Sequence, residues 1–253
     1  MGDSTDKNVN AEILSSCCGI PNLGNTCFFN AATQFLLSIN PIRNAVLKLE
    51  HNQKCKKNCF VCHWEVFSSK LLNSDKPDPL TVLNKLAAEE CNWALSEEGD
   101  AANIVEKIVP GYSLHQLEAN FEETRFCFNC EKRKAEPRRS KFVKTSIVNY
   151  ILTRAIANLF TDESTVNDEV ACSSCNEALG LNCNDPNNRV TCRQILQRTI
   201  TNTSDWVIFK LGRSIGGDQR AAWGVSVSET NFRGNIYKPV AWVEHVDILN
   251  KNI

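Results

Sequence analysis

The chain has 253 residues, of which 42% are hydrophobic and 23% charged, ordinary proportions for a globular protein long enough to bury a core. Lys and Arg total 28 and Asp and Glu 29, so the net charge of −1 gives no general attraction to nucleic acid or to membranes. The 13 cysteines are odd in number and make up about 5% of the chain, too sparse for a disulfide scaffold.

Residues 1–18 are polar, lack the apolar core of a secretory signal, and are expected to form a disordered tail. No run approaches the roughly 18 apolar residues of a membrane-spanning helix. These features predict a cytoplasmic or nuclear chain whose thiols stay reduced and serve as ligands or nucleophiles. From Phe28 the apolar residues Ala32, Phe35, Leu36 and Ile39 recur at helical spacing, with Asn25 or Thr26 as the N-cap and Pro41 as the stop. Helices are also expected over 43–51, 61–72, 80–88 and 100–109, with a loop at 75–79. Beyond 120 come paired cysteines, a basic stretch and β-branched runs such as 142–148, and strands are expected at 206–211, 223–228 and 238–246. Gly216-Gly217-Asp218 reads as a hairpin turn. Helices first and strands later make an α+β fold.

Three groups of cysteines carry chemistry. Cys27 opens the strongest helix, where aligned backbone N–H groups favour a thiolate and backbone amides can stabilise an oxyanion. The bland alternative is a buried cysteine capping a core helix. Cys127 and Cys130, with Cys172 and Cys175, make two CxxC knuckles, the donor set of a tetrahedral structural zinc. The 41 residues between them place the knuckles at the ends of long strands. The third group is His51, Cys55, Cys59 and Cys62, which suits a second zinc, with His63 as a competing fourth ligand and a cysteine-rich loop as the alternative. The basic residues from Lys132 to Lys144 are read as a solvated hairpin rather than a nucleic-acid surface, because aromatic residues are sparse among them.

The run GIPNLGNTCFFNAATQ, from Gly19 to Gln34, resembles the cysteine box of the ubiquitin-specific proteases, G-[LI]-x-N-L-G-N-T-C-[FY]-x-N-[AS]-x-x-Q. The resemblance implies a papain-like cysteine protease fold. Its parts would be a thumb over about 19–120, zinc-ribbon fingers over about 121–200 and a shortened palm over 201–253. It implies Cys27 as nucleophile, Asn22 as the oxyanion-stabilising asparagine, ubiquitin or ubiquitinated proteins as partners, and structural zinc at the paired knuckles, with the His51 group similar to an accessory zinc site.

The same resemblance places YKPVAWVEH, from Tyr237 to His245, at the approach to the family's histidine box, Y-x-L-x-A-V-x-x-H-x-G followed by G-H-Y. His245 matches the first histidine of that box, Asp247 replaces its glycine, and no G-H-Y occurs in the 253 residues. Upstream, the family's Q-Q-D-A-x-E-F appears as EGDAANI from Glu98, with only the Asp-Ala core kept. The expectation is a thiol-dependent deubiquitinase truncated before its catalytic histidine; the alternative is a non-catalytic ubiquitin-binding scaffold.

Overall fold

A computed structural model describes residues 19–55, 59–89, 99–146, 163–212, 230–232, 235–241 and 243. It divides into two units, one up to Leu114 together with the residues from Pro239 on, the other His115–Lys238.

The first unit is helical: α1 (Cys27–Ser38), α2 (Asn40–Leu47), α3 (Glu50–Lys54), α4 (Phe60–Leu72), α5 (Leu80–Glu89) and α6 (Ala101–Ile108), the last continued by a 3-10 turn at Val109–Gly111. In α1 the buried residues Phe28, Phe29, Ala32, Thr33, Leu36 and Leu37 recur every three to four positions, so one stripe faces the core. Phe29 packs on Phe67 of α4 with ring centroids 5.7 Å apart. Trp64 meets Tyr112 edge-on at 6.4 Å. Each such ring, fully buried, contributes about 1.5–3 kcal/mol.

Pro41 does not end α1. That helix stops at Ser38, Ile39 is extended, and Pro41 sits in the first turn of α2, where its missing N–H costs nothing. The single helix expected over 43–51 is two, because Leu49 adopts φ 52°, a left-handed conformation no α-helix accommodates.

The second unit is a β structure. Strands β1 (Ala119–Cys127), β2 (Arg133–Ser140), β4 (Glu163–Ala171) and β5 (Thr191–Asn202) form an antiparallel sheet in the order β2-β1-β5-β4. Between β2 and β4 lies β3 (Phe142–Ser146), which pairs in parallel with β6 (Ile208–Gly212), Phe142 opposite Ile208. Helix α7 (Ser173–Ala178) follows β4, and β7 (Thr230–Phe232) pairs with β8 (Asn235–Tyr237). Pro137 interrupts the donors of edge strand β2, and the β4–β5 register shifts between Asn167 and Val170 at the other edge. Glu123 of β1 faces Glu136 of β2. The like charges are offset because Glu123 holds Arg125 at 2.6 Å and Arg198 at 3.0 Å, while Glu136 holds Lys134 and Arg138, each at 2.7 Å.

The strand expected over 206–211 begins at Ile208. Residues 238–241 and 243 are irregular rather than a strand; Pro239 cannot donate to a ladder there. The strand expected over 223–228, the turn at Gly216-Gly217-Asp218, and His245 lie outside the described residues. Among the described residues no helix is long and apolar enough to cross a membrane.

Candidate active site and metal centres

Cys27 is the first residue of α1 and is exposed. The loop before it is held by side chains of the box itself. Gly24 adopts φ +112°, which L-residues rarely reach and which requires glycine there. Thr26 Oγ1 accepts from Leu23 N at 3.0 Å and donates to Asn22 Oδ1 at 3.0 Å. The expected N-cap is thus turned backward: Thr26 occupies the cap position but bonds into the loop instead of capping the helix. Asn30 Nδ2, one turn into α1, donates to the carbonyls of Ile20 at 3.3 Å and Pro21 at 3.2 Å. With Oδ1 of Asn22 engaged by Thr26, its Nδ2 hydrogens are what that side chain can offer a developing oxyanion.

Gly99, in the degenerate EGDAANI stretch, lies against the residue after Cys27. A Cβ at position 99 would come within 2.5–2.7 Å of the Phe28 ring. The next residue, Asp100, caps α6 by accepting from Ala102 N at 2.8 Å.

The four residues of the first candidate metal centre converge. Ligand atoms of His51, Cys55, Cys59 and Cys62 all lie within 4.8 Å of one another. The Sγ separations are 3.6 Å for Cys55–Cys59 and 3.7 Å for Cys59–Cys62, and His51 Nε2 is 3.2 Å from Cys59 Sγ. Four thiolates about 2.3 Å from a zinc ion sit about 3.8 Å apart at the corners of a tetrahedron, so these spacings fit. The histidine that lies in this group is His51, not His63. Its other nitrogen, Nδ1, is 2.9 Å from the Gly111 carbonyl. The centre joins α3, the loop after it and the first turn of α4. Buried Glu65 of α4 ties these together, accepting from His51 N and Asn52 N at 2.9 Å each. Glu89 caps α4 by accepting from Phe60 N at 2.7 Å. Burial opposes protonation of His51, but the Gly111 carbonyl and the Cys59 thiol raise its pKa above the ordinary value. Burial and the neighbouring thiols push Cys62 up to about 12.

The second centre is built at strand ends, as the spacing of its knuckles suggests. Cys127 closes β1, Cys130 lies in the following turn, Cys172 precedes α7 and Cys175 lies within it. Cys127 and Cys175 are 3.7 Å apart at sulfur, as are Cys130 and Cys172, again a tetrahedral edge. Burial opposes ionisation of Cys127, yet backbone N–H groups of Cys130 and Asn129 bring it down to about 7. Burial raises Cys172 and Cys175. Two residues of this centre escaped the sequence reading. Asn176, fully buried, donates to the carbonyls of Cys172 and Val190 at 2.8 Å each and accepts from Val190 N at 2.7 Å. Cys192 is buried against Cys127 and Cys172. The alternation of buried Cys192 and Gln194 with exposed Thr191 and Arg193 is the strand signal that marks it as inward-facing.

The remaining histidine of this region, His115, is exposed and lies 3.2 Å from Glu118 Oε2. Among the described residues no histidine bonds to Cys27.

Residues 18–233 match the family described as ubiquitin carboxyl-terminal hydrolase. Among curated proteins, ubiquitin carboxyl-terminal hydrolase 17 of Arabidopsis thaliana is 35% identical over 86 residues, covering 33% of this chain and 12% of its own length. Human ubiquitin carboxyl-terminal hydrolase 42 is 30% identical over 95 residues, covering 36% of this chain and 7% of its own. The aligned part is therefore a small share of either relative. Among solved structures, a chain of the SAGA Ubp8/Sgf11/Sus1/Sgf73 DUB module bound to ubiquitin aldehyde superposes with a TM-score of 0.53 at 17% identity, covering 78% of this chain and 47% of that one. The yeast SAGA DUBm with a mutant Sgf73 gives 0.54 at 15% identity, over 85% and 52%. At these identities the likeness is one of fold.

Proposed function

The chain belongs to the ubiquitin carboxyl-terminal hydrolase family and has its α+β, papain-like fold, and from that premise we propose that it carries the nucleophile half of a thiol-dependent deubiquitinase. The observation that carries this reading is the exposed Cys27 at the start of α1, behind a loop locked by Asn22, Thr26 and Asn30.

In this reading the Cys27 thiolate attacks the carbonyl carbon at the carboxy terminus of ubiquitin. Asn22 Nδ2 and backbone N–H groups hold the resulting oxyanion. Collapse of the tetrahedral species breaks the C–N bond, the lysine amine leaves with a proton, and water then releases ubiquitin from the thioester. The proton traffic needs a base, which the family's G-H-Y segment supplies and these 253 residues do not contain. Covalent capture by an electrophilic ubiquitin is therefore expected, with hydrolysis near background.

Both four-residue centres are read as structural zinc sites. Each offers four protein ligands, leaving no open position for water or substrate. The zinc ions would hold the fold and take no part in the cleavage.

Two measurements on the 253-residue chain test the reading. Ubiquitin bearing a carboxy-terminal alkyne should form a stable adduct that Cys27→Ala abolishes; no adduct with the wild-type chain overturns the nucleophile assignment. Cleavage of a fluorogenic ubiquitin amide should stay near background. Turnover that vanishes in Cys27→Ala would show that a base is present after all. The second reading, a ubiquitin-binding scaffold, is favoured by the lack of any histidine bond to Cys27 among the described residues. It predicts ubiquitin binding that survives Cys27→Ala.

A further inference from the structure

Gly111 does more than end the turn in which it stands. It closes the 3-10 turn after α6, 60 residues from His51, and its carbonyl oxygen is 2.9 Å from His51 Nδ1. A carbonyl only accepts, so the proton of that bond belongs to Nδ1, which leaves the Nε2 lone pair for the cysteine cluster. The backbone at Gly111 is not left-handed, so the need for glycine there is a need for space. A Cβ at position 111 would lie 3.1 Å from His51 Nδ1, 3.3 Å from His51 Cε1 and 3.1 Å from Val61 Cγ1. These separations are tighter than ordinary van der Waals contact. The ring would have to move away from the carbonyl, and with it Nε2 would swing out of line with Cys55, Cys59 and Cys62.

We propose that Gly111 is the positioning residue of the His51 metal centre: by its carbonyl and by its missing side chain it fixes the tautomer and the angle at which His51 presents Nε2. The inference rests on reading that cluster as a zinc site. Partners of this kind outside the ligand set orient metal-bound histidines, and their loss costs about 10–100-fold in metal affinity. Gly111 also makes the centre a tie between distant segments, since the metal would link α3 and α4 directly and the end of α6 through one hydrogen bond.

The test uses the full chain with zinc. Elemental analysis of Cys172→Ser, which disables the four-cysteine site, should give one zinc ion per chain, and none would overturn both the metal reading of the His51 cluster and the inference. Competition against a chromophoric zinc chelator should then show the His51 site losing about tenfold in affinity in Gly111→Ala and about 100-fold in Gly111→Val, with the four-cysteine site unchanged. Val61→Ala combined with Gly111→Ala removes the crowding at Val61 and keeps the crowding at His51. It should recover stability without recovering zinc affinity. Nitrogen-15 spectra of histidine-labelled wild type should show His51 bound through Nε2 with Nδ1 protonated, whether or not any variant folds. Wild-type zinc affinity in Gly111→Ala, recovery of affinity in the double variant, or binding through Nδ1 would each overturn the proposal.

Discussion

The indole N–H of Trp64 donates to Thr33 Oγ1 at 3.1 Å in the buried interior of the helical unit. The bond joins α4, whose N-cap is Cys59 and whose first turn carries Cys62, to α1, whose first residue is Cys27. The candidate nucleophile and the candidate metal centre therefore sit on helices joined by a buried hydrogen bond.

Thr33→Val keeps the shape of the side chain and leaves the Trp64 N–H without its acceptor. It should cost about 1–3 kcal/mol of stability, read as a lower urea midpoint with an unchanged slope. Trp64→Phe in the Thr33→Val background should cost less than the two single losses added. Additive losses would show that the bond contributes nothing to the coupling.

Gly99→Ala drives a Cβ into the Phe28 ring, which lies 2.5–2.7 Å from where it would stand. The expected loss is about 1–3 kcal/mol, the usual cost of overpacking. Adding Phe28→Leu should recover part of it. If Gly99→Ala is neutral in thermal denaturation, the close packing of the EGDAANI stretch on the nucleophile helix is not rigid.

Glu123 is buried, which favours the neutral acid, but Arg125 and Arg198 outweigh that and lower its pKa below 4.5. The stability it contributes is complete above 4.5 and is lost as pH falls through the lowered value. Both arginines are substantially exposed, so the contribution is about 1 kcal/mol. Glu123→Gln should therefore lower the melting temperature at pH 7 by a few degrees, with a smaller loss at pH 3. An equal loss at both pH values would assign the effect to packing.

Zinc loading should release protons, because thiols such as Cys62, held up at about 12, must ionise to bind. Apparent zinc affinity should fall by at least about tenfold per pH unit below neutrality, measured by chelator competition. Cys172→Ser should reduce zinc to one ion per chain. Cys192→Ala, which empties space beside the ribbon but removes no ligand, should keep two zinc ions per chain and lower stability. Loss of a zinc ion in Cys192→Ala would place that thiol among the ligands.

What could be read from the chain alone was whatever is encoded at short spacing. The cysteine box, both knuckles and the His51–Cys55–Cys59–Cys62 set are runs of at most a few turns, and each ligand set converges. The amphipathic stripe of α1 was legible for the same reason. What was hidden depends on partners far away in sequence. Glu65 reads as a surface glutamate until its two oxygens are seen on the amides of His51 and Asn52. Asn176 and Val190 meet only once β5 has returned to the knuckle. Pro41 was misread because proline ends one helix and begins another with the same ring, and only the extended Ile39 between them decides which.

Among the described strands, the four-stranded sheet ends in β2 and β4, and each carries an obstacle to further pairing. On β2 it is Pro137, flanked by Arg133, Lys134, Arg138 and Arg139; on β4 it is the register shift between Asn167 and Val170. A second copy approaching β2 would bring like charge to like charge and find a missing donor. One approaching β4 would meet a ladder out of step. Among the described strands, both edges of the sheet therefore carry a feature that discourages pairing with a second copy.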